Sequence, residues 1–236
     1  TKLKVGVVGV SGGETTWLPI PAPDEGYYLG QVGWACNSEE VLVEKLSRFR
    51  DEREFLLVHV DTGKISRIFH ESDPAWVISS EPHVEKGLDW VQGGQAFVLL
   101  SEMDGWRHAY LCSRDGQQRK LLTPGDYDVI ERVKIDEANG WLYFSASPEN
   151  ATQQYLYRVP LDGSGSSPER MTPEDQPGTH DYDFSPDGRW AFHTYSHFSK
   201  PPVTDLVELP AHRVVRSVPL HFRLSHSFLH TNLKVL

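Results

Sequence analysis

Several residues have the types and spacing that chemistry requires. Gly9-Val10-Ser11-Gly12-Gly13 has the GxSxG spacing of a nucleophilic serine in acyl transfer. Such a serine sits on a sharp turn that follows a strand and opens a helix. Here the following residues, Glu14-Thr15-Thr16-Trp17-Leu18, read as a strand, so Ser11 is expected in a hairpin turn. His193 and His197 are four apart, but on a segment that reads as a strand, with Tyr195 between them. His180, Asp181 and Asp183 form a polar cluster at a strand start. Neither group supplies the three or four preorganised ligands of a zinc site. His221, His226 and His230 fit no ligand template. Glu39-Glu40 reads as a solvated turn, and Asn150-Ala151-Thr152, a glycosylation sequon in form, as a plain loop. No catalytic residue, metal site or cofactor is expected.

The elements that carry these residues repeat. An apolar strand running into a turn recurs at Trp34, Trp90, Ile135 and Phe184, at spacings of 56, 45 and 49 residues. The fullest copy is Asp183-Phe184-Ser185-Pro186-Asp187-Gly188-Arg189. A second landmark keeps step with it. Alternating strands end in Asp61-Thr62-Gly63, Asp115-Gly116 and Asp162-Gly163. Glycine in such turns accepts positive φ without steric cost, which lets two strands pair as a hairpin. Each repeat thus predicts four short strands, in the last repeat about 180–184, 190–196, 203–209 and 213–219. Segment 38–50 is the best helix candidate, yet Glu40–Leu46 fits a strand equally.

Four-stranded units at a fixed period near 50 residues predict an all-β fold, a β-propeller of antiparallel blades. A two-sheet sandwich would not predict the period. Full blades are expected at about 28–72, 82–124, 127–173 and 178–218, preceded by half a blade at 1–19. Residues 219–236 match no repeat. Four and a half blades do not close an ordinary ring, so the expectation is an incomplete propeller, a piece of a larger protein. Its open edges would invite self-association.

Composition narrows the function. Lys+Arg number 23 against 33 Asp+Glu, a formal charge of −10, which opposes general nucleic-acid binding. A 39% hydrophobic content with 7 Trp, 9 Tyr and 10 Phe supports a packed core. No apolar run reaches the roughly 18–20 residues of a membrane span. Cys36 and Cys112 form no CxxC motif.

The segment Ser101-Glu102-Met103-Asp104-Gly105-Trp106-Arg107-His108-Ala109-Tyr110-Leu111 resembles the hallmark of the N-terminal propeller of the dipeptidyl peptidase IV family, in the prolyl oligopeptidase clan of serine peptidases. Gly12–Leu18, Asp73-Pro74-Ala75-Trp76-Val77, Gly140–Ser147, Phe184–Arg189 and Thr194–Phe198 agree with it. The resemblance covers about residues 1–210. It implies an eight-bladed propeller capping an α/β-hydrolase domain that removes N-terminal dipeptides with Pro or Ala second. It also implies that the amino-gripping glutamates lie upstream of this segment and the Ser, Asp and His triad downstream. In the family, the stretch matching Trp76–His83 walls the pocket beyond the second substrate residue. Trp76, Ile78, Ser79 and His83 are therefore the substrate-side candidates, although this stretch is shorter and lacks the expected arginine and phenylalanine. For Asp104, Gly105, Trp106, Arg107 and His108 the expectation is structural: a hairpin turn, a packed aromatic and a charge pair bracing adjacent strands.

These readings predict a non-catalytic propeller fragment of such an exopeptidase. Its partners would be the peptide substrate, the earlier blades and the hydrolase domain. The alternatives are a stand-alone interaction module derived from such a peptidase, or an enzyme with a site on the propeller itself. The resemblance favours a secreted or periplasmic setting over a cytoplasmic one.

Overall fold

The computed structural model describes residues 3–77, 87–165 and 167–218. Its strands are β1 (Gly6–Val7), β2 (Thr16–Trp17), β3 (Tyr27–Trp34), β4 (Glu40–Ser47), β5 (Glu52–His59), β6 (Ile65–Ser72), β7 (Leu88–Val91), β8 (Ala96–Ser101) and β9 (His108–Ser113). They continue as β10 (Arg119–Leu121), β11 (Val129–Asp136), β12 (Trp141–Ala146), β13 (Tyr155–Pro160), β14 (Glu169–Arg170), β15 (Thr179–Phe184), β16 (Trp190–His197), β17 (Lys200–Glu208) and β18 (Arg213–Val218). Among the described residues the only helical element is a short 3₁₀ turn at Gln92–Gly94, and no helix is long and apolar enough to cross a membrane.

Every strand pairs antiparallel with its sequence neighbour. β1 and β2 form a two-stranded sheet, and β3–β6, β7–β10, β11–β14 and β15–β18 form four-stranded meanders. The Asp-Gly landmarks lie where two strands must reverse. Gly116 shows why glycine is needed. Its φ is +71°, and a Cβ there would sit 1.7 Å from the Ile68 carbonyl oxygen. The segment open to a helix is strand β4, whose Val41-Leu42-Val43 run is buried on both faces. The expected third strand of the last repeat begins earlier, at Lys200, and pairs along β16 despite a bulge after Tyr195.

The chain divides at Leu122 into two compact units. In the first, Leu42, Phe55, Leu57 and Phe69 pack with Leu88, Phe97, Leu99 and Tyr110, joining two meanders through one core. Leu18, Val41, Val43, Leu56 and Val58 make a second cluster, which the β1–β2 hairpin covers with Val5 and Val7. In the second unit, Tyr143, Leu156 and Met171 pack with Tyr182, Ala191, Val207 and Leu209. Face-to-face burial of this kind is what central blade strands need, and it explains their runs of consecutive apolar residues.

Candidate functional site

A groove of about 230 Å³ lies in the first unit, where the end of β6 and the residues after it meet the β8–β9 connection. Its lining includes Glu71, Asp73, Trp76, Glu102, Met103 and Arg119. The Asp73 carboxylate accepts from the backbone N–H of Ala75 at 2.7 Å, which folds the chain so that Trp76 stands 59% exposed at the rim. Trp76 and the residues entering the 104–108 segment, 25 or more positions apart in sequence, thus share one concavity. Ile78, Ser79 and His83 lie outside the described residues.

Beside the groove, the 104–108 segment is a braced turn. Gly105 donates its N–H to the Glu102 carbonyl at 3.0 Å and adopts φ +97°. One Asp104 oxygen accepts from the Trp106 N–H at 3.2 Å, and the other accepts from His108 Nδ1 at 2.9 Å. Burial would raise the Asp104 carboxyl, but hydrogen bonds from His108, Tyr110 and Trp106 hold it below its ordinary value. Burial and the adjacent Asp104 push the Tyr110 hydroxyl up. Asp104 is thus tied through its carboxylate to the His108 ring four residues on. Trp106, expected to pack, remains 40% exposed, because it sits at the turn rather than on β9.

Below the groove lies a network that single segments of sequence do not announce. Arg53, on β5, is fully buried. Its Nε donates to Glu44 at 2.8 Å, and its Nη1 donates to Glu71 at 3.2 Å and to the Leu100 carbonyl at 3.3 Å. The second Glu44 oxygen accepts from the Gln31 N–H at 2.7 Å, and Ser101 Oγ donates to Glu71. Burial raises the Glu71 carboxyl even against the pull of Arg53 and Ser101. Glu71 is thus a rigidly held acceptor at the groove, backed by a guanidinium that cannot reach solvent.

The model of the dipeptidyl peptidase IV N-terminal region matches residues 1–202. The chain belongs to this family. Among curated relatives, dipeptidyl peptidase 4 of Trichophyton rubrum is 25% identical over 168 residues, covering 69% of this chain and 21% of the relative. The probable dipeptidyl peptidase 4 of Emericella nidulans is 27% identical over 165 residues, covering 66% and 21%. The chain therefore spans about a fifth of the length of these relatives. Porphyromonas gingivalis dipeptidyl peptidase 4 superposes with a TM-score of 0.79 at 22% identity, over 92% of this chain and 29% of that one. A putative dipeptidyl aminopeptidase IV from Bacteroides ovatus gives 0.74 at 19%, over 92% and 32%. The five antiparallel sheets are accordingly a fragment of the dipeptidyl peptidase IV N-terminal propeller.

Within this propeller fragment the other chemistry-bearing residues resolve as follows. Ser11 is exposed in the Gly9–Gly12 turn of the β1–β2 hairpin, closed by a 2.8 Å bond from the Gly12 N–H to the Gly9 carbonyl, and β2 follows it. Glu39 is exposed, but Glu40 is not a free turn residue, a correction to the sequence reading. Asn37 caps the turn, and Glu40 opens β4 and meets Arg114 Nη2 at 2.6 Å. Arg114 also donates to the carbonyls of Ala35 and Gly94 and lies 4.7 Å over the Trp90 ring. That clamp joins two neighbouring blades, and hydrogen bonding to Arg114 lowers the Glu40 carboxyl. His197 is exposed, whereas His193 is buried beside His180. Among the described residues no group of three or more His, Cys, Asp or Glu could hold a metal ion.

Proposed function

We propose that this chain is a non-catalytic, substrate-facing part of a dipeptidyl peptidase IV-like serine exopeptidase. The family match over residues 1–202 carries the proposal. The groove supports it, since an exposed tryptophan beside anchored carboxylates suits the polar backbone and side chains of an extended peptide. Trp76 supplies an apolar wall, and Glu71 accepts hydrogen bonds from a position fixed by Arg53 and Ser101. These residues bind and orient. Attack on the scissile carbonyl needs an activated serine and preorganised oxyanion donors, which the proposal assigns to the rest of the parent enzyme.

The test is turnover of a Gly-Pro chromogenic substrate by the 236-residue chain alone. No hydrolysis is expected. Hydrolysis that a serine-directed phosphonate abolishes overturns the non-catalytic assignment.

One observation favours a second reading, an interaction module that self-associates. Among the described residues β18 is a sheet edge, with Val214 49% and Val215 45% exposed. Size-exclusion chromatography with light scattering separates the two, because a clean monomer removes edge-to-edge pairing.

A further inference from the structure

The second unit contains a buried histidine cluster that substrate contact does not use. His180 on β15 and His193 on β16 are 1% and 2% exposed. Their rings are coplanar to 2°, with His180 Nδ1 and His193 Nε2 2.8 Å apart. Tyr195 stacks on His180 and Tyr182 on His193, each at 4.6 Å between centroids, and His212 meets His193 edge-on at 4.8 Å. A hydroxyl relay extends the group. The Leu156 N–H donates to Thr172 Oγ1, which bonds the Tyr182 hydroxyl at 3.0 Å, and that hydroxyl bonds His212 Nε2 at 2.8 Å. The cluster lies on the seam between the β11–β14 and β15–β18 sheets. There the His180 backbone N–H donates to the Gln154 carbonyl at 3.0 Å and Tyr155 packs on the His180 ring.

The protons can be placed. His180 Nε2 lies 2.9 Å from the Gln176 carbonyl, which only accepts, so Nε2 carries a proton. In neutral His180, Nδ1 is then an acceptor, and His193 donates through Nε2–H. His193 Nδ1 is left bare, buried and without a hydrogen-bond partner. A further proton on His193 Nδ1 becomes a buried N–H with no acceptor. A further proton on His180 Nδ1 sets two N–H groups against each other. Either position breaks the arrangement.

The surroundings add no compensating charge to the pair. Arg170 on β14 acts on His180, and Lys200 on β17 acts on His193, while His212 acts on both. Among the described residues, the carboxylate that acts on the cluster is Asp205 on β17, which lies opposite His193 in the strand register and acts at His212. Asp181 and Asp183 are exposed on the opposite face of β15, and the remaining neighbours, Tyr155, Tyr182, Tyr195 and Thr172, are neutral. Burial first, then His212, followed by Arg170 on His180 and by His180 and Lys200 on His193, hold His180 down at about 4 and His193 at about 3.

We propose that the His180–His193–His212 stack is an acid-operated latch on the seam between these two sheets, closed while the imidazoles are neutral and opened by proton uptake. The open seam exposes the imidazoles, which then bind protons as free histidine does, near pH 6.5. Below that pH each of the two fully buried imidazoles, His180 and His193, multiplies the opening constant about tenfold per pH unit.

Hydrogen–deuterium exchange of the whole chain from pH 7.5 to 4, corrected for intrinsic rates, tests the latch. Peptides spanning Thr179–Phe184 and Trp190–His197 are expected to open about a hundredfold more per pH unit between pH 6 and 4.5, while those spanning Glu52–His59 and Ala96–Ser101 stay protected. In His193→Phe the slope falls to about tenfold per unit, and in His197→Gln, on the same strand but exposed, it is unchanged. Imidazole NMR of the unsubstituted chain decides the matter if His193→Phe fails to fold. The His180 and His193 signals are expected to hold still above pH 5, and titration of either near 6.5 overturns the latch. An unchanged slope in His193→Phe, or loss of protection in both units at one pH, overturns it equally.

Discussion

The two units bury polar groups by opposite means. The first encloses a permanent cation, Arg53, between Glu44 and Glu71. The second encloses imidazoles that stay neutral, linked through a tyrosine and a threonine hydroxyl. The histidine cluster leaves His193 Nδ1 and His212 Nδ1 without a hydrogen-bond partner, an exception to the rule that buried polar groups are paired. Their responses to pH differ in sign and window. His180 and His193 bind protons more weakly folded than unfolded. Their contribution is complete above about pH 6.5 and is lost as pH falls toward 4 and 3. Glu71 is raised above 4.5, so it binds its proton more tightly folded, and stability is lost as pH rises through its folded range. The lowered carboxyls of Glu40, Glu54 and Asp104 lose their contribution only as pH falls below their ordinary values of 4.5, 4.5 and 3.8. Acid should therefore reach the second unit first.

The largest effect should follow from breaking the ionic side of that comparison. Arg53→Ala removes the guanidinium that bonds both Glu44 and Glu71, the first of them fully buried. Loss of one partner from a buried ion pair costs about 3–5 kcal/mol. Urea denaturation read by hydrogen exchange in β4, β5 and β8 should show that loss in the first unit, with β15 and β16 unchanged. A loss below about 1 kcal/mol, the value of an exposed pair, would mean that water reaches the network. Glu71→Gln is the milder variant. It keeps one acceptor oxygen for Arg53, places an amide donor opposite the Ser101 hydroxyl, which can accept, and removes the charge whose burial is costly.

The neutral network should respond less. Tyr182→Phe deletes the hydroxyl between Thr172 and His212 but keeps the ring stacked on His193. Leaving those buried groups short of a partner costs about 1–3 kcal/mol. The loss should fall in β15 and β16 and leave the first unit untouched. An equal loss in both units would show that the hydroxyl relay is not local to the seam.

Much of this was legible in the sequence, and the missing parts share a physical cause. The blades were readable because Asp-Gly turns and apolar alternation are local signals. Thus the last repeat's expected strands at 180–184 and 190–196 lie at Thr179–Phe184 and Trp190–His197. Segment 38–50 stayed open between helix and strand because burial on both faces erases the two-residue period that would have decided it. The spacing of His193 and His197 does not announce the histidine pair that forms. His193 and His197 are separated by a bulge, and the partner that matters lies across the hairpin. Counting outward from the Asp187-Gly188 turn pairs Tyr182 with His193 and His180 with Tyr195, which makes His180 and His193 diagonal neighbours. The same counting sets Glu44 opposite Phe55 and Arg53 opposite Leu46, so charges inside apolar runs were the available signal for the Arg53 network. Glu40–Arg114 had no such signal, because a separation of 74 positions is closed only by packing of one blade on the next.

The smallest effect on stability is also the sharpest test of the groove. Trp76 is 59% exposed, and substitution at such a surface position usually changes stability by no more than about 0.5 kcal/mol. Trp76→Ala should therefore leave hydrogen exchange in both units as it was, in contrast to Arg53→Ala. If the groove receives peptide, a Gly-Pro-initiated peptide should change the chain's tryptophan fluorescence saturably, and Trp76→Ala should abolish that change. Glu71→Gln should weaken the same binding without removing the aromatic wall, since it alters only the acceptor at the groove. Saturable binding that survives Trp76→Ala would move the peptide contact away from this groove and leave the Arg53 network with a purely structural role.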